Sequence, residues 1–146
     1  LPLATNQGLE RYQVRIVTVS SADPAAGAEI SYTIPTGQLF EVTAVTFALV
    51  TSATAANRRV ALTFDDGTNV FFKSVAQVVQ TASLTWTYSA GAGGVDTTSV
   101  AGTDMKLVLP VGLILPGGYR IRTASTALEA DDNYGIARIQ GIRYSA

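Results

Sequence analysis

The sequence predicts an all-β protein, an antiparallel β-sandwich best matched by a jelly roll of about eight strands. Three observations carry this reading. Thr occurs 18 times and Val 15 times in 146 residues, and both favour pleated, half-buried surfaces. Apolar and polar residues alternate with a period of two in run after run, while no stretch holds an apolar stripe at helical spacing. Turn triplets rich in Pro, Gly and Asp separate the runs.

The runs follow in order. Residues 12–16 and 30–34 alternate, the second with Glu29 and Thr33 on the wet face. Residues 39–50 change phase: Phe40, Val42 and Ala44 share one parity, and Val45, Phe47 and Leu49 the other. Either a bulge near Ala44–Val45 keeps both sets on the core, or the strand is buried on both faces. Val60, Leu62 and Phe64 alternate with Arg59, Ala61 and Thr63, and Asp66-Gly67 leads into Val70-Phe71-Phe72. Asp-Gly between strands signals a tight hairpin in which both turn residues take positive φ. Leu84, Trp86 and Tyr88 share a parity, as do Tyr119, Ile121 and Thr123. Leu107 and Leu109 precede Pro110, and a last strand covers roughly residues 135–144. Residues 90–103, rich in Gly, Ala, Ser and Thr and without an aromatic residue, read as a mobile loop. Residues 1–10 read as an N-terminal arm and residues 11–146 as one jelly-roll domain.

Composition excludes several functions. The chain has no Cys and no His, which removes disulfides, thiol nucleophiles, zinc fingers and Ser-His or Cys-His catalysis. Ten basic and eleven acidic residues give a net charge of −1, without the Lys/Arg surplus that a nucleic-acid partner requires. No apolar run is long enough to span a membrane, and the start, Leu1-Pro2-Leu3-Ala4, lacks the regions of a signal peptide. Hydrophobic residues make up 47% and charged residues only 14%, against an average of about 25% charged. Apolar surface left over from such a chain belongs in an interface, so oligomerisation or docking onto a larger body is expected.

Candidate chemistry is sparse. Asp65–Asp66, and the group Glu129, Asp131, Asp132 and Asn133, carry the oxygens a hard cation wants, but a turn residue and a solvated loop explain them as well, and no metal site is assigned. Glu10, Glu29, Glu41 and Glu129 are isolated, so no acid–base pair is evident and no enzyme is expected. Trp86, Tyr88, Tyr32 and Tyr119 are either a sugar-stacking platform or, as the parity with Leu84 favours, part of the core. Asn57-Arg58-Arg59 is the densest basic spot. Its guanidinium groups either clamp a carboxylate of a neighbouring subunit or lie solvated at a strand start. Arg120 and Arg122 alternate with Tyr119 and Ile121, so they face solvent or a partner.

The order of motifs is Tyr32-Thr33-Ile34-Pro35-Thr36-Gly37, then Asn57-Arg58-Arg59-Val60-Ala61-Leu62 and Asp65-Asp66-Gly67, then Gln80-Thr81-Ala82-Ser83-Leu84. Leu113-Ile114-Leu115-Pro116-Gly117-Gly118-Tyr119 follows a Gly-rich stretch, and Asp131-Asp132 precedes the final strand. Over about residues 28–140 this order resembles small jelly-roll structural proteins of tailed bacteriophages, in particular capsid decoration (cement) proteins. The resemblance implies a homotrimer made in the host cytoplasm and placed on the outer capsid surface of the virion. There it would tie together copies of the major capsid protein, with no enzymatic activity and no cofactor. The residues expected to make contact are Leu1 and Leu3 in the arm, together with Arg58, Arg59, Arg120 and Arg122. The alternatives are a tail or fibre component that binds a host glycan, and a free carbohydrate-binding module.

Overall fold

The computed structural model describes residues 13–93 and 103–145. Eleven strands run β1 (Gln13–Ser20), β2 (Ser31–Thr33), β3 (Gln38–Val50), β4 (Ala61–Asp65), β5 (Val70–Val75), β6 (Thr85–Ala92), β7 (Asp104–Leu109), β8 (Ile114–Pro116), β9 (Arg120–Thr123), β10 (Asn133–Tyr134) and β11 (Arg138–Ser145). There is no helix among the described residues. One sheet has the order β1-β11-β3-β6-β7, with β8 and β10 added along β3; the other has the order β2-β9-β4-β5.

Without β7, β8 and β10, two four-stranded sheets remain, β1-β11-β3-β6 and β2-β9-β4-β5. Among these eight strands only the β4–β5 hairpin stays within one sheet. Every other step crosses from one sheet to the other, which is the jelly-roll winding. The expected sandwich is therefore present, with one departure: β6 and β7 pair in parallel. The connection from Ala92 to Asp104 supplies the return path of about a dozen residues that a parallel pair needs, which alternation within each strand does not reveal. The strand β6 runs on through Ala92, so the expected loop begins later than residue 90, and residues 94–102 lie outside the described set.

Alternation marks the buried side of β3, β4 and β9, but on β1 the apolar residues of the alternating run, Val14 and Ile16, face out, and Val17 and Val19 pack against the core instead. Phe40 and Val42, then Val45, Phe47 and Leu49, all reach the core, as the phase change requires. The bulge sits at Thr43: Gln140 pairs with Ala44, but Gly141 pairs with Val42. The Thr43 hydroxyl donates to the Gln140 carbonyl at 3.1 Å. Gly141 faces inward at this point, where a Cβ would stand 2.6 Å from the Phe40 ring. The Asp66-Gly67 hairpin is also present, but its loop is wider than a two-residue turn. Gly67 alone in it has positive φ, +98°. Asp66 instead accepts hydrogen bonds from the Thr68 and Asn69 amides at 2.9 and 2.7 Å, an Asx turn that closes the loop with its side chain. Those amides, Asn69 first, hold the Asp66 carboxyl below its ordinary pKa.

Aromatic rings fill the space between the sheets. Phe47 stacks on Tyr88 at 5.3 Å and meets Tyr134 edge-on at 5.7 Å; Phe64 and Phe72 lie 5.1 Å apart. Tyr88 is fully buried, and Trp86, Tyr32 and Tyr119 are half-buried against the core, Tyr119 tilted against the exposed Phe71 at 5.8 Å. Burial pushes the Tyr88 and Tyr134 hydroxyls up in pKa. Each finds a partner: Tyr88 Oη donates to Gln80 Oε1 at 2.9 Å, and Tyr134 Oη shares a short hydrogen bond with Ser125 Oγ.

Candidate functional site

The expected contact residues separate in space. Leu1 and Leu3 lie outside the described residues. Arg58, expected on a neighbouring subunit or in solvent, is neither: its side chain is 0% exposed. Its parity with Val60, Leu62 and Phe64 turns it inward, and its own chain supplies the carboxylate. Arg58 Nε donates to Asp132 Oδ2 at 2.8 Å and Nη2 to Oδ1 at 2.9 Å, a paired fork, while Nη1 donates to the Ala56 carbonyl at 2.9 Å. Asp132 accepts two further bonds, from the Ser52 and Glu129 amides, both at 2.8 Å. Burial alone would raise the Asp132 carboxyl, but Arg58 and these amides outweigh it and hold it at about 2.

This pair belongs to a polar cluster that ties three loops across one end of the sandwich. The backbones of Arg58 and Gln80 exchange hydrogen bonds at 3.1 and 2.8 Å. Gln80 Nε2 donates to the Leu49 carbonyl at 2.8 Å, and Thr51 Oγ1 donates to the Thr81 carbonyl at 2.7 Å. The cluster is structural, and it takes Arg58 away from any partner. Arg59 remains exposed, with Nη1 bonded to the Ala76 and Gln77 carbonyls at 3.0 and 3.1 Å.

Arg120 and Arg122 lie on the outer face of the β2-β9-β4-β5 sheet, 31% and 38% exposed, as alternation requires. Arg120 Nε donates to Asp65 Oδ1 at 2.7 Å, and Nη2 to the Gly67 carbonyl at 3.2 Å. Arg122 Nη1 stands 3.8 Å from Asp65 Oδ2, close enough for attraction and too far for a hydrogen bond. Asp65 and Asp132, whose oxygens could suit a hard cation, thus each face a guanidinium instead. No group of three or more acidic, His or Cys side chains gathers as a metal cage among the described residues.

A second surface was not singled out from the sequence. Register places two rows of side chains on the outer face of the larger sheet, each crossing β1, β11, β3 and β8. One row is Val14, Tyr144, Leu39 and Pro116; the other is Ile16, Ile142, Glu41 and Ile114. Their neighbours along each strand, among them Val17, Phe40, Gly141 and Leu115, point the other way, so these two rows face out. Ile16 is 78% exposed, Val14 61% and Ile114 45%. Seven of the eight positions are apolar, and Glu41 is the one carboxylate among them. The sequence points the other way, since alternation with Gln13 and Arg15 marks Val14 and Ile16 as a core side, and only the sheet order joins them to Ile142 and Ile114 on the outer face.

No family model matches the chain, and no curated protein does. Among solved structures it overlays on PfGH50B with a TM-score of 0.41 and 12% identity, covering 88% of this chain and 22% of that one. On dimeric latent PorU from Porphyromonas gingivalis the values are 0.37 and 7%, over 90% of this chain and 13% of the other. On the structure of infectious bursal disease virus, Gt strain, they are 0.23 and 14%, over 92% and 32%. The chain therefore spans less than a third of the length of each of these structures, and likenesses so distant carry no argument about its activity.

Proposed function

We propose that this protein is a non-enzymatic structural component of a bacteriophage particle, a decoration protein that binds the major capsid protein on the outer surface as a homotrimer. The observation that supports this reading is the two-row apolar face across β1, β11, β3 and β8. A sheet face of this kind loses about 25 cal/mol for each Å² removed from water, and a stable contact removes about 800 Å² per partner. Glu41, alone among apolar neighbours, would fix the register of the contact by requiring a donor opposite it.

The mode of action is mechanical. A trimer that touches several capsid subunits at once is retained by avidity, without any single strong contact. Because it binds the assembled lattice and not its separated parts, it shifts the equilibrium toward the lattice. The test is sedimentation of the wild type and of Ile16→Asp, followed by heating of capsids with and without bound protein. The wild type should sediment as a trimer. Ile16→Asp should be a monomer that keeps the wild-type far-UV circular dichroism, because Ile16 contributes little to the fold of the single chain, and it should melt lower than the wild type only by what trimer association contributes. A monodisperse wild-type monomer at high concentration, or capsids equally heat-stable without the protein, would overturn the reading.

A further inference from the structure

The outer face of the β2-β9-β4-β5 sheet has a character opposite to that of the apolar face. Register sets Ser31, Arg122, Thr63 and Lys73 in one row, and Thr33, Arg120, Asp65 and Val70 in the next. Three cations and one carboxylate share this face in a chain whose net charge is −1. The carboxylate is already engaged. Asp65 Oδ1 accepts from Arg120 Nε and from the Gly67 amide, at 2.7 and 2.8 Å. The other acids nearby are turned to hydrogen-bond donors of the protein itself: Asp66 to its own turn, and Glu29 to the Ser125 amide at 2.6 Å.

Arg122 and Lys73 are left over. They stand in register on either side of Thr63, one on β9 and one on β5. No hydrogen bond or ion pair engages the Lys73 ammonium among the described residues, and the Arg122 side chain has only the 3.8 Å approach to Asp65. Two buried side-chain atoms among the described residues lack a hydrogen-bond partner, Asp65 Oδ2 and Arg122 Nε, and they belong to this one site. Buried polar groups are nearly always paired, so the exception needs an explanation. Asp65, 2% exposed, holds the Arg122 guanidinium over the sheet by charge without using its donors. The Arg122 side chain keeps 38% of its surface in water, so the Nη end of its guanidinium, and not the buried Nε, is open to an acceptor from outside the chain.

We infer that this face is a docking site for an acidic polypeptide, in which Arg122 and Lys73 each receive a carboxylate of the partner while Asp65 positions Arg122. Charge complementarity selects the partner. The two rows hold Ser, Thr, Val and the charged groups, while Phe71, an exposed ring on β5, lies beside them at the β4–β5 irregularity, tilted against Tyr119 at 5.8 Å; the paired cations supply the recognition, which favours an acidic peptide, and a glycan is an outcome of the test. The site lies on the sheet opposite the apolar face, and it does not depend on which particle carries the protein.

The test titrates a fluorescent hexaglutamate peptide against the full chain at about 50 and 200 mM salt, a range over which surface attraction is progressively screened. The variants are Arg122→Gln/Lys73→Gln and a control, Lys106→Gln/Arg138→Gln, which removes the same charge from the outer face of the other sheet. The wild type should bind, and weaken roughly threefold or more at the higher salt. The site variant should lose about tenfold, while the control stays within about twofold. Melting curves confirm that all three are folded. No binding by the wild type, an equal loss in the control, or tighter binding to dextran sulfate than to the peptide would overturn the inference.

Discussion

Asp132 and Asp65 are both buried carboxylates facing arginine, and they serve different ends. Asp132 accepts four hydrogen bonds: two from Arg58, one from Ser52 and one from Glu129. Asp65 Oδ1 accepts two, and Oδ2 accepts none. Arg58 is 0% exposed, while Arg120 and Arg122 keep about a third of their surface in water. A charge can be buried deeply only when every lone pair is met, as at Asp132. Around Asp65 one lone pair and one donor stay unmet although both are buried, so the arrangement costs stability while it holds the half-exposed Arg122 in place. One aspartate closes the fold and the other orients a surface.

Removing each carboxylate in turn should give the largest difference between the two sites. Asp132→Ala leaves a buried guanidinium and two backbone amides without an acceptor, and should cost about 3–5 kcal/mol, a fall of roughly 10 °C in melting temperature. Asp65→Ala should cost only about 1–2 kcal/mol, because Arg120 and Arg122 can turn to water. Chemical denaturation of both variants checks this, and equal losses would erase the distinction. Arg58→Met/Asp132→Leu sharpens it. An apolar pair of similar volume often replaces a buried ion pair without loss, but here the Ser52 and Glu129 amides stay orphaned, so recovery should be incomplete.

Acid separates the two sites next. Asp132 is held at about 2 in the folded chain, against about 3.9 for a free aspartate. A depressed carboxyl lends stability that is complete above the unfolded value and lost as pH falls through the folded one. The contribution, on the order of 2 kcal/mol, should therefore disappear between about pH 5 and pH 2. Urea unfolding of the wild type and Asp132→Asn should give curves well apart at pH 6 that converge toward pH 2. Curves that stay parallel would show that Asp132 is not the group responsible.

Much of this architecture was legible from period-two alternation. The two phases of β3 pointed to a bulge within two residues of its place at Thr43, and Arg120 and Arg122 faced out as their parity required. Arg58 was misread although Val60, Leu62 and Phe64 share its parity, because arginine is so seldom buried that its type outweighed its position. Its partner is 74 residues away, and no local pattern encodes that distance. The apolar face and the Arg122–Thr63–Lys73 row were hidden for the same reason. Each is assembled from strands that are distant in the chain, so its existence depends on sheet order, which alternation leaves undetermined.

The smallest effect is the most discriminating. Arg120 and Arg122 lie two residues apart on β9, with similar exposure, and both face Asp65. If they were equivalent members of a stabilising network, either truncation would cost the same. Arg120 makes hydrogen bonds to Asp65 and to the Gly67 carbonyl, so Arg120→Ala leaves a buried carboxylate short of a donor and should cost about 1–2 kcal/mol. The Arg122 side chain makes no hydrogen bond, and Arg122→Ala should change stability by less than about 0.5 kcal/mol. The same substitution should weaken hexaglutamate binding. A residue whose removal leaves the fold untouched while lowering affinity is held in place for a partner, whereas a loss of stability matching that of Arg120→Ala would return Arg122 to the fold.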